Sequence, residues 1–117
     1  MTILLETITP PGRGAFTINF SVSTEIVVSA EEASRAVSVF AGNRIADLLH
    51  GGAPTLVLKK QGAFWRVPVI LSSRSYGQIG AVGAIDVDAQ TGVLVLDETI
   101  LHEIETNAER LAAGAAL

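Results

Sequence analysis

The residues able to do chemistry are few. His50 and His102 are the only histidines, and the chain has no cysteine, which removes disulfides, thiolate nucleophiles and Cys-ligated zinc or iron–sulfur sites. His102 lies among Glu98, Glu105 and Glu109 at spacings that share one helical face; such a face can hold a metal, but it is more commonly just solvated. His50 sits beside Gly51-Gly52 at an expected helix end, where the helix dipole accounts for it equally well. Ser72, Ser73, Ser75 and Tyr76 surround Arg74 in a polar stretch suited to an anion or small ligand. No glycine-flanked nucleophile pattern accompanies these serines, and no partner in sequence orients either histidine. Arg74, Tyr76, Gly77 and Gly80 are therefore the candidate ligand loop, within Ser72 to Gly83, and no catalytic, cofactor-binding or metal-binding residue is assigned.

Two further patterns invite a ligand and fail on context. Gly77, Gly80 and Gly83 spell GQIGAVG, but a dinucleotide fingerprint opens a helix, whereas here a strand follows; these read as turn or bulge glycines. Asp86, Asp88 and Gln90 alternate toward Asp97 as in a calcium loop, yet Thr91 occupies the place of the required glycine. A hairpin with a solvated acidic face is the expectation. Trp65 and Arg66 would anchor an interface if exposed, although Trp65 shares parity with Val67, Val69 and Leu71 and so fits a core better. Pro68, which cannot donate to a ladder, marks an edge strand, a bulge or a non-bonded position. Trp65, Arg66 and Pro68 form the candidate interface.

Composition narrows the class. The chain's 117 residues fit one α+β domain spanning 1–117, with 1–15 as a strand or flexible arm. Charged residues make up 17% and apolar ones 49%, against about 25% charged in a typical domain, and the mean hydropathy is +0.45. So few charges on a small domain point to apolar surface covered by another subunit or a partner. The net charge of −4 and scattered basic residues supply no patch for nucleic acid. The start lacks a basic n-region and reads as no signal peptide, and no apolar run approaches the roughly 20 residues that span a bilayer. The expectation is a soluble, cytoplasmic protein with no cofactor.

The positioning elements follow from periodicity. Ile3 to Ile8 reads as a short strand closed by Thr9-Pro10-Pro11-Gly12. Phe16, Ile18, Phe20 and Val22 alternate with polar residues, predicting a half-buried strand, and Glu25 to Val28 either extends it or forms another. Ser29 with Glu32 makes a capping box for a helix whose apolar face runs from Ala33, Ala36, Val37, Phe40 and Ala41 through Ile45, Leu48 and Leu49, with Gly42-Asn43 as a place to kink or split. Thr55 to Lys60 and Phe64 to Ser72 form a hairpin around Gln61-Gly62, and Val82 to Leu96 forms a second. Asp97 to Ala116 is a closing helix with Leu101, Ile104, Ala108, Leu111 and Ala115 on one side. The expected fold is an antiparallel sheet of about four to five strands with two helices on one face.

The run VGAIDVDAQTGV from Val82 to Val93 resembles the terminal hairpin of PepSY-like domains, in which a valine-aspartate strand enters a TG turn. The Trp65-Arg66-Val67-Pro68-Val69 strand, the glycine-rich approach and the closing helix are similar to those of small bacterial α+β proteins. The resemblance implies a compact α+β, cystatin-like or related fold, and an inhibitory or interaction module. The functional expectation is a non-enzymatic interaction or regulatory domain, a homo-oligomer (a homodimer in the simplest case) with a protein partner in the manner of an antitoxin. The alternative is a small-ligand binder or minor enzyme using the Ser72–Gly83 loop.

Overall fold

The computed structural model describes residues 3–6, 9–19 and 21–114. Its elements are β1 (Ile3–Leu5), α1 (Ala30–Arg44), β2 (Leu49–Gly51), β3 (Thr55–Lys59), β4 (Gly62–Ser73), β5 (Gly77–Asp88), β6 (Leu94–Val95) and α2 (Glu98–Gly114). The strands make one six-stranded sheet ordered β1-β3-β4-β5-β6, with β2 beside β3 on the same flank of β4. The pairing is antiparallel except for β1, which runs parallel to β3. The α+β class holds, with a mixed sheet that has one strand more than expected. No helix among the described residues is long and apolar enough to cross a membrane.

Alternation in β4 assigns the two faces. Ala63, Trp65, Val67, Val69 and Leu71 point to the helices and join Ala33, Val37 and Ala41 of α1 with Ile85, Val87 and Ile104 in one core. Arg66, Pro68 and Ile70 point the other way. Helix α1 starts at the expected capping box: the Glu32 N–H donates to Ser29 Oγ and the Ser29 N–H to Glu32 Oε1. It runs unbroken through Gly42-Asn43 to Arg44; Ile45, its C-cap, still packs against the core, whereas Leu48 is exposed and does not extend the apolar face. Leu49 opens β2 instead, opposite Leu71. In α2, Asp97 caps the first turn through Ile100 N–H, and Ile100, Ile104, Ala108 and Leu111 face the sheet, one residue out of phase with the expected Leu101; Ala115 lies outside the described residues.

The expected strand at Phe16–Val22 does not form, nor does one at Glu25–Val28. The described residues of 9–27 have no regular structure and are all exposed, including Phe16, Ile18, Val22, Ile26 and Val27; Phe20 and Ile8 lie outside the described residues. Alternation prepares a segment for a sheet, but a strand exists only where a neighbouring strand takes its hydrogen bonds. This arm has none. It rejoins the body where the N–H groups of Val27 and Val28 both donate to the Ala89 carbonyl and Trp65 Nε1 donates to Val28 O at 2.7 Å.

Candidate functional site

Three polar arrangements sit on this scaffold, and each was invisible or incomplete in sequence. The first is an ion network on the outer sheet face. Arg66 and Asp86 are directly paired across β4 and β5, which places their side chains on the same face. Arg66 binds the carboxylate with Nε and Nη2, Lys59 Nζ reaches Asp86 Oδ2 at 2.5 Å, and Arg66 also pairs with Glu6. Lys59 crosses the Phe64 ring at 4.7 Å on its way. Burial pushes the Asp86 carboxyl up, but the hydrogen bonds from Arg66 and Lys59 outweigh it and hold the group below its ordinary range. The hydrogen bond to Asp86 raises Arg66 above its usual value, against the opposing pull of burial. Two cations and two anions thus tie β3, β4 and β5 to the end of β1. The expected solvated acidic face is corrected on both residues: Asp86 is ion-paired, and Asp88 closes the turn by accepting from the Gln90 and Thr91 N–H groups.

The second arrangement joins His50 to Ser72. The strand pairing sets them diagonally on the outer face, with Nε2 and Oγ 2.8 Å apart. His50 Nδ1 lies 3.3 Å from the Gly51 carbonyl; with the proton on Nδ1, Nε2 accepts from the serine hydroxyl. That is the first half of a nucleophilic serine site. The second half, N–H donors free to hold an oxyanion, fails locally: the Ser72 N–H donates to Leu48 O, the Gly52 N–H to Pro68 O and the Gly51 N–H to Ser38 Oγ. The pair reads as a cross-strand tie.

The third arrangement explains the glycine pair and the proline together. Pairing of Leu48 with Ser72 and of Gly52 with Pro68 turns the backbone of Gly51 outward, away from β4. Helix α1 covers this edge with two serines one turn apart: Ser38 accepts from the Gly51 N–H, and Ser34 donates to the carbonyls of Gly51 and Gly52 at 3.3 and 2.9 Å. Pro68 has no N–H to return to Gly52, and the Ser34 hydroxyl occupies that carbonyl instead. The approach is so close that a Cβ at Gly51 would stand 2.5 Å from the Ser34 carbonyl oxygen. Pro68 therefore lies in the central strand, in the gap between β2 and β3, and not at a sheet edge.

The remaining sequence candidates are dispersed. Trp65 is 3% exposed and takes the core position, so it offers no exposed anchor, while Arg66 is held in the ion network. Ser72 to Gly83 is not a loop: only Arg74 to Tyr76 form the turn, which Ser73 Oγ closes by accepting from the Tyr76 N–H. Tyr76 and Arg74 are exposed there, Gly77 makes the turn with φ 71°, and Gly80 lies beneath Leu111 of α2. Two register shifts in β5 give the bulges, and the side chain of Asn107 donates to the Val82 carbonyl at one of them. His102 is exposed on α2, and among the described residues no group of three or more His, Asp or Glu side chains is placed to hold a metal. Compared with protein-family models, curated proteins and solved structures, the chain matches none.

Proposed function

We propose that the chain is a non-enzymatic protein-interaction domain of the cytoplasm that self-associates and acts on a protein partner, in an inhibitory or antitoxin-like role. The exposed apolar arm carries this reading. A monomer of this mass exposes about 6,100 Å², whereas this chain exposes 7605 Å². The excess of about 1,500 Å² on one chain is larger than the roughly 800 Å² that each partner buries in a standard protein–protein interface. The radius of gyration of 16.2 Å likewise exceeds the roughly 13 Å of a compact domain of this length. The likeness of the Val82–Val93 hairpin to PepSY-like domains agrees with an interaction role. Light scattering on the purified chain, with affinity capture of the tagged chain from its own cells, tests it. A dimer and one stoichiometric partner are expected; a strict monomer that captures nothing overturns it.

A cleft of about 650 Å³ over the seam where α1 meets His50–Pro54, to which the Ser72–Gly83 segment contributes Gln78 and none of Arg74, Tyr76, Gly77 or Gly80, favours a second reading as a small-ligand binder at that seam. A ligand at 100 times its dissociation constant would add about 2.7 kcal/mol, which a thermal-shift screen with anionic metabolites would detect. No shift across that screen removes the reading.

A further inference from the structure

The self-association proposed above has a definite geometry available to it. Strand β5 runs from Gly77 to Asp88, and β6 pairs only with Asp86 and Val87. Among the described residues, no strand covers the remainder of that flank, from Gly77 to Ile85. Its backbone is turned toward the opening: the Asp88 N–H crosses to Val93, so the ladder alternation carries the same direction to Asp86 and then to Ala84, which has no strand opposite. The run contains no charge and no proline, two of the devices that protect exposed edges; its protection is limited to the bulges at Ile79 and Val82 and the Asn107 side chain on the Val82 carbonyl. Beside it α2 follows β5, with Ile104 over Gly83 and Leu111 over Gly80. Edge and helix enclose a cleft of about 530 Å³ lined by Ala81, Asn107, Arg110 and Leu111. An edge strand next to a helix is a geometry that accepts an added strand, with backbone bonds giving affinity and alternate side chains entering the groove.

The same chain carries a segment of matching form. Phe16, Ile18 and Val22 fall at alternate positions and are 49%, 45% and 48% exposed, and Arg13 is the only charge from Thr9 to Thr24. Phe16 to Val22 extended measures about 20 Å, which fits within the uncovered run of β5. In its own chain the arm leaves the body at Val28, held against Ala89 and the Gly92 turn, and its described residues from Phe16 to Val22 pair with no strand.

We infer that the Phe16–Val22 arm of one copy adds as a strand to the Gly77–Ile85 edge of a second copy, with the exchange made twice about a two-fold axis. The pairing satisfies both edges and returns the alternation of the arm to a buried face. It rests on the self-association reading and specifies its contact.

Light scattering of the full chain and of Ile18→Asp tests it. The wild type is expected at twice 12.2 kDa and Ile18→Asp at the single-chain mass, with association weakened at least tenfold. Because the arm is already exposed in the single chain, the variant's fold is expected to survive, and unchanged circular dichroism checks this. A wild-type dimer that Ile18→Asp leaves intact overturns the arm exchange while self-association stands; a wild-type monomer overturns both. The absence of cysteine permits a direct second measurement. Ile18→Cys and Ala84→Cys chains, mixed and treated with a short bismaleimide, are expected to give a heterodimeric band. A band absent from the mixture, or crosslinking confined within single chains of the double variant, overturns the proposal.

Discussion

The guanidinium of Arg66 holds the Asp86 carboxylate by two hydrogen bonds, Nε to Oδ1 at 2.8 Å and Nη2 to Oδ2 at 3.0 Å, directly across the β4–β5 ladder. With Lys59 on the same carboxylate, removing Asp86 leaves two cations facing each other on a half-buried surface. Breaking a fully buried pair costs 3–5 kcal/mol, and the partial exposure of the two cations reduces this, so Asp86→Ala is expected to lose about 2 kcal/mol. Urea unfolding at unchanged m would read it as a lower midpoint; an unchanged midpoint would assign the network no role in stability.

The same carboxylate sets an acid dependence. Its pKa in the folded chain lies below the ordinary 3.8, so its contribution is complete above that value and is lost as pH falls through the lower folded value. Wild-type stability should therefore decline below about pH 4 more steeply than that of Asp86→Asn. Parallel curves for the two proteins from pH 5 to 2 would refute this.

Helix α1 meets the β2 edge at backbone distance. Gly51→Ala drives a methyl against the Ser34 carbonyl, which no rotamer can relieve, and should cost more than about 2 kcal/mol. Ser34→Ala only removes a hydroxyl from two carbonyls and should cost about 1 kcal/mol. Reversal of that order in denaturant melts would show that the glycine is not a contact glycine.

Gly83 lies under Ile104, with a Cβ position 2.7 Å from its Cγ1. Gly83→Ala is expected to destabilise by about 1–3 kcal/mol in the wild type and by less in an Ile104→Ala background, which removes the Cγ1 that the new methyl would meet. Strict additivity in the double-mutant cycle would place α2 elsewhere.

His50 and Ser72 form a pair whose neighbouring backbone N–H groups are engaged. A fluorophosphonate probe should leave Ser72 unlabelled, and Ser72→Ala should cost about 1 kcal/mol of stability. Labelling at Ser72 above that of the heat-denatured chain would make the pair a nucleophile and end the non-enzymatic reading.

Local patterns were sufficient where local physics decides. The Ser29–Glu32 capping box fixes the start of α1, a turn at Lys60-Gln61, one position ahead of the expected Gln61-Gly62, joins β3 to β4, Asp88 closes its own turn, and the parity of Trp65 with Val67 and Val69 sends that indole to the core. These depend on neighbours within a few residues, which the order of residues supplies. The ion network, the His50–Ser72 tie and the serine-covered edge join residues 20, 22 and 17 positions apart; strand register brings the first two together, and the packing of α1 on β2 the third. Leu49 could continue a helix face until Leu71 offered it a strand. The Phe16–Val22 alternation marks the converse case: the sequence alone determined that this segment is built for a sheet, and the tertiary structure decided that its described residues have no strand beside them in their own chain, because a strand's hydrogen bonds must be completed by a neighbour.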